Sequence, residues 1–125
     1  MDDQSEKHPT LGNGKIGYVQ IPASDIERSA DFYQKVFGWQ IRKRGDGSIA
    51  FDDGVSEVSG TWVLGRPPMS QAGLLIYIMV ESVTETAKAI AANGGKIVRA
   101  PGGDPPQITA QFLDPAGNLL GIGEQ

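Results

Sequence analysis

Apolar and polar positions along the chain switch period in the same order twice. Residues Lys15–Ile21 alternate with period two, so Tyr18 and Gln20 face one way and Val19 and Ile21 the other. Pro22 and Ala23 end that strand. The period then becomes helical, with Ile26, Ala30, Tyr33 and Phe37 on one stripe. Ser24 and Glu27 stand at capping-box spacing, and Gly38 supplies a left-handed residue where the helix must stop. Leu74–Val80 starts the pattern again. Leu75, Tyr77 and Met79 share one face, and Ile76, Ile78 and Val80 the other. Ser82 and Glu85 repeat the capping box, Val83, Ala87, Ile90 and Ala91 repeat the stripe, and Gly94-Gly95 repeat the stop.

Strand material follows each helix. In the first half it is Trp39–Arg44, Ile49–Asp52 and Gly60–Leu64, with turns at Gly45-Asp46-Gly47 and Asp52-Asp53-Gly54. In the second half it is Lys96–Ala100, Ile108–Leu113 and Leu119–Ile122. Asp114-Pro115-Ala116-Gly117-Asn118 joins the last two, with Pro115 presetting a type I turn and Gly117 taking positive φ. Each half therefore reads β-α-β-β-β. The expectation is an α+β fold of one domain over 14–125. Unit one covers 14–66, a linker 67–73, and unit two 74–125, after a flexible tail at 1–13. One face of each first strand packs under its own helix. If the units lie side by side, the remaining faces join into one concave mixed sheet. That face is expected to carry Tyr18, Gln20, Trp62 and Leu64 from unit one, and Leu75, Tyr77 and Met79 from unit two. Aromatic and apolar residues with a few polar points suit a small-molecule site; the alternative is core or a dimer interface.

The 125 residues suffice for one core without staples. Net charge is −4 with no basic run, which speaks against a nucleic-acid partner. There is no cysteine, so thiol catalysis, disulfides and thiolate metal sites are excluded, and a reducing, cytoplasmic setting fits. No apolar run is long enough for a membrane span, and no membrane partner is expected. Gly12-Asn13-Gly14-Lys15-Ile16-Gly17 matches G-x-G-x-x-G but precedes a strand instead of following one, so it is read as coincidence. His8 is the one histidine and sits in the tail. Asp52, Asp53 and Glu57 are either a cation or general-base cluster or ordinary turn residues. Arg66 is either a clamp for an anionic ligand or a surface arginine. Gly102-Gly103-Asp104-Pro105-Pro106 is either a lid or a long connection.

Three stretches resemble the vicinal oxygen chelate superfamily, also called the glyoxalase/bleomycin-resistance/dioxygenase family. They are Asp25–Tyr33 running into Val36-Phe37-Gly38-Trp39, Val80 through Asn93-Gly94-Gly95, and Phe112–Asn118. The resemblance implies that family's paired-unit fold, a site inside the concave sheet and, commonly, a homodimer. It also implies four metal-ligand positions, which fall here on Tyr18, Leu75, Gly121 and, by repeat offset, Leu64. Those side chains do not supply the imidazole and carboxylate groups such metals favour. The expectation is a metal-free, lactoylglutathione-lyase-like member without cofactor, whose cavity at Tyr18, Gln20, Trp62, Leu64, Leu75, Tyr77, Met79 and Gly121 binds a small organic ligand. A glyoxalase-like lyase or isomerase is the alternative, and a structural unit with an occluded cleft a third.

If this strand phase is right, Ile78→Asp destabilises the fold far more than Tyr77→Asp, because the first places a carboxylate against the helix. Urea midpoints of the two variants check it; the reverse order shows the phase to be inverted.

Overall fold

The computed structural model describes residues 9–71 and 73–124. Ten elements follow one another in two similar halves. The first half is β1 (Tyr18–Pro22), α1 (Ile26–Phe37), β2 (Gln40–Lys43), β3 (Ile49–Asp52) and β4 (Ser59–Val63). The second is β5 (Tyr77–Val80), α2 (Val83–Ala92), β6 (Lys96–Gly102), β7 (Thr109–Leu113) and β8 (Leu119–Glu124). They form two four-stranded mixed sheets, ordered β1-β4-β3-β2 and β5-β8-β7-β6. In each, the first strand lies parallel to the last and the remaining pairs are antiparallel. A parallel neighbour requires a crossover, which each helix supplies.

Helix α1 begins one residue later than the Ser24–Glu27 spacing predicts. Asp25 is the N-cap, and its side chain accepts from the Arg28 amide. A carboxylate at that position also meets the positive end of the helix dipole. Ser82 caps α2 as expected, accepting from the Glu85 amide, but the Glu85 carboxylate turns to Lys88, and Glu124 accepts from the Val83 amide instead. Gly38 ends α1 at φ 71° and donates back to the Gln34 carbonyl.

The core lies between the sheets and around α1. Tyr33 stacks on Trp39 with ring centroids 4.5 Å apart, Trp39 stacks on Phe51, and Phe51 meets Trp62 at 4.7 Å. On the other flank of α1, Phe32 and Phe37 pack against Phe112 of β7. The predicted stripe on α1 omitted Phe32, yet that ring is fully buried. A helix wedged between two sheets buries more than one stripe.

Trp62 overturns one expectation. The β1–β4 register sets Gln20 opposite Thr61 and Ile21 opposite Trp62, so Trp62 shares the buried face of Ile21. It is 2% exposed and belongs to the core, not to a ligand cavity. Leu64 lies beyond the end of β4 and is exposed.

The turn Asp114–Asn118 ties the halves together. The Tyr33 hydroxyl donates to Asp114 Oδ2 at 2.8 Å, joining α1 to the β7–β8 turn across 81 residues. Asp114 Oδ1 accepts from the amides of Ala116 and Asn118. Asn118 Nδ2 donates to the Pro22 carbonyl at the end of β1, and its Oδ1 accepts from the Met69 amide. Gly117 closes the turn at φ 93°. Burial, reinforced by the Asp114 carboxylate, pushes the Tyr33 phenol well above its ordinary value.

Two outcomes follow from this packing. Trp62→Ala lowers stability by about 3–5 kcal/mol in urea unfolding, the cost of an emptied aromatic site. Tyr33→Phe lowers it by about 1–2 kcal/mol at neutral pH. An unfolded tyrosine ionises near pH ~10, whereas folded Tyr33 keeps its proton there. Its contribution is therefore intact below that pH and declines as pH rises through the raised value. Unfolding curves across the alkaline range check this: the wild type loses stability more steeply than Tyr33→Phe.

Candidate functional site

Both sheets turn one face toward the helices and the other outward. On the first sheet the outward face carries two cross-strand rows, Tyr18–Ser59–Asp52–Gln40 and Gln20–Thr61–Ala50–Arg42. Its chemistry is polar and cationic. Arg42 forms a two-point ion pair with Asp52, at 2.7 and 3.0 Å, and Ser59 Oγ donates to Asp52 Oδ1 at 2.7 Å. Those Arg42 hydrogen bonds hold the Asp52 carboxyl below the usual range. Arg44 reaches across to donate to the Tyr18 hydroxyl at 2.7 Å, and Arg66 donates to Gln20 Oε1. Thr61 turns its hydroxyl onto the Ile49 carbonyl.

The outward face of the second sheet is different in character. Tyr77 and Met79 stand on β5, both exposed, and Leu75 precedes them. Gly121 is opposite Tyr77, whose ring lies over it so closely that an added Cβ would sit 2.5 Å from the ring carbons. Gln111 lies next in that row, its amide 3.4 Å from the Tyr77 hydroxyl. The β5 side of this face, with Leu75, Tyr77 and Met79, is apolar but for the phenol; its far side is polar, with Gln111 and Thr109 on β7 and Arg99 opposite Gln111 on β6.

Among the described residues no strand of one sheet pairs with a strand of the other within one chain. Strand β1 pairs with β4 alone and β5 with β8 alone among the described residues, so both inner strands have an open edge. Between those edges runs a cleft of about 1060 Å³. It opens toward the helices: its walls include Val19, Ile21, Phe37, Trp39, Phe51, Ile76, Ile78 and Val80, with Ser82 and Glu85 of the α2 start. Gln20, Tyr77 and Met79 touch its rim, whereas Tyr18, Trp62, Leu64, Leu75 and Gly121 do not line it. The expected cavity residues are thus divided. Tyr18 and Gln20 stand on one outward face, Leu75, Tyr77, Met79 and Gly121 belong to the other half, Trp62 lies in the core, and Leu64 on an exposed bend. Arg42 and Arg44, which sequence reasoning passed over, join Tyr18 and Gln20. Two arginines two positions apart, Arg42 in β2 and Arg44 just after it, were their signal.

Strand register also corrects one metal-ligand position. Gly121 is opposite Tyr77, and Thr61 is opposite Gln20, which lies the same distance before its helix cap as Tyr77 does. Thr61, not Leu64, is therefore the counterpart of Gly121. The set Tyr18, Thr61, Leu75 and Gly121 does not fit a catalytic divalent metal: it holds no imidazole or carboxylate. No group of three or more His, Cys, Asp or Glu side chains able to hold a metal occurs among the described residues. Asp52, Asp53 and Glu57 are each engaged separately, with Arg42, with the Glu57 amide and with Lys15. His8 lies outside the described residues.

The family model described as the Glyoxalase/Bleomycin resistance protein/Dioxygenase superfamily matches residues 15–122. The chain belongs to this superfamily. A glyoxylase-like domain-containing protein of Didymella fabae is 31% identical over 98 residues, covering 67% of this chain and 71% of that one. A lactoylglutathione lyase of Escherichia coli O157:H7 is 26% identical over 100 residues, covering 70% and 74%. Among solved structures, TnmS3, an antibiotic binding protein from Streptomyces sp. CB03234, superposes with a TM-score of 0.69 at 21% identity, over 92% of this chain and 98% of that one. Within the superfamily, the open inner strands set this chain's geometry. In the parallel β1–β4 pair, Gly17 and Ala23 bond to β4, so Val19 and Ile21 do also. The N–H and C=O groups of Tyr18 and Gln20 are left at the open edge. No helix among the described residues is long and apolar enough to cross a membrane.

Proposed function

We propose that the chain is a metal-independent small-molecule-binding protein of the superfamily that works as a homodimer in the cytoplasm. Each site takes the polar face of the first sheet from one protomer and the apolar β5 side of the second sheet, with Leu75, Tyr77 and Met79, from its partner. One observation carries this reading: both inner strands have open edges, with an apolar cleft between the two halves of a single chain. Open edges and apolar clefts are ordinarily covered. A second copy covers both edges at once and closes a site that neither chain encloses alone. Such a site has an apolar wall and a few convergent polar groups, the composition of a ligand pocket. The likeness in fold to an antibiotic binding protein supports a binding role, and the missing imidazoles and carboxylates support metal independence.

The 26% identity to a lactoylglutathione lyase favours a second reading, an enzyme of that kind. Elemental analysis after incubation with each divalent ion separates the two. The binding reading expects no stoichiometric metal and no lactoylglutathione lyase activity; a bound equivalent of metal with turnover moves the enzyme forward.

Light scattering on the eluting protein is expected to give twice the chain mass. Ile76→Asp, which places a carboxylate in the cleft wall, shifts the protein to monomer by at least roughly tenfold in dissociation constant. A wild type that is monomeric at every concentration removes the shared site.

A further inference from the structure

Three of the chain's five arginines bring their guanidinium groups to the outward face of the first sheet, in a protein whose net charge is −4. Arg42 is neutralised by Asp52. Arg44 and Arg66 are not: among the described residues no carboxylate lies within ion-pair distance of either. Asp46, in the turn after Arg44, accepts from the Ser48 amide and hydroxyl and interacts with Arg44 through space, without forming an ion pair with it. Each of the two free guanidiniums is instead held by one neutral oxygen, the Tyr18 hydroxyl for Arg44 and the Gln20 amide oxygen for Arg66. A guanidinium anchored this way keeps its whole charge and most of its five donors. The anchors are two residues apart on one face of β1, about 7 Å along the strand. They stand at the open edge of β1, where the polar face ends.

We propose that Arg44 and Arg66 form an anion subsite, and that the natural ligand joins a carboxylate or phosphate group to an apolar body. The two arginines are pre-positioned to bracket such a group with charge-assisted hydrogen bonds. An anion between them offsets the repulsion of the two guanidiniums for each other. The apolar body rests on the face of Leu75, Tyr77 and Met79; this part rests on the dimer reading, whereas the anion subsite is complete on one protomer.

The test is a titration of the full chain at low salt with phenyl phosphate, benzoate, benzamide and inorganic phosphate, read by calorimetry and by amide shifts. Phenyl phosphate or benzoate is expected to bind at least about tenfold tighter than benzamide, with shifts centred on Tyr18 and Gln20. Whichever of the two binds tighter identifies the charged group. Arg44→Gln and Arg66→Gln each weaken that binding about tenfold or more without changing the melting curve, and Arg28→Gln leaves it unchanged. Equal binding of benzamide, absence of binding by both anions, or full affinity in the Arg44→Gln/Arg66→Gln double variant overturns the subsite. Inorganic phosphate separates the two readings. If it shifts Tyr18 and Gln20 but phenyl phosphate binds no tighter, the subsite stands and the apolar wall from a second chain falls.

Discussion

Everything in this fold hangs on one buried turn. Asp114 and Asn118 are both nearly inaccessible, and together they hold α1, the end of β1 and the segment at Met69. A carboxylate taken out of water costs stability unless its oxygens are used. Here Tyr33, two backbone amides and the Asn118 amide use them. Two halves that also meet through aromatic rings and the contact of α1 with α2 are held in one orientation by directional bonds. That orientation aims the helices inward and the two sheet faces outward, and the chemistry of the surface follows from it.

Much of this architecture was legible in the sequence. Period-two alternation at Tyr18–Ile21 and Leu75–Val80 assigned the faces of the inner strands correctly, and Gly38 and Gly117 marked positions that do adopt positive φ. The errors share a cause. Trp62 and Leu64 were placed by alternation within their own strand, but which face is outward depends on register with β1. That is a relation between segments some 40 residues apart, and local pattern does not contain it. Ser24 and Asp25 both suit an N-cap by residue type, and the fold uses Asp25. How the halves dock is likewise a relation between distant segments, such as the Tyr33–Asp114 hydrogen bond across 81 residues.

The repeated halves have drifted apart chemically while keeping the same connectivity. At matching places the first sheet presents Gln20 and Thr61, and the second Tyr77 and Gly121. The exchange swaps hydrogen-bonding groups for an aromatic ring lying on a bare backbone. Arg42 has a counterpart in Arg99, which ends the row Tyr77–Gly121–Gln111, but in that row Gln111 stands where the first sheet has Ala50. Two faces so unlike are suited to opposite ends of one molecule, which a symmetric pair of faces would not be.

The open strands also bear on how far association can run. An exposed ladder recruits any other strand and, unchecked, grows into fibres. β5 is four residues long, and β1 ends at Pro22, which has no N–H to offer a newcomer. Each edge can thus accept one short, well-matched neighbour but gives a third chain little to template on. The feature that leaves a lone chain unfinished also limits polymerisation.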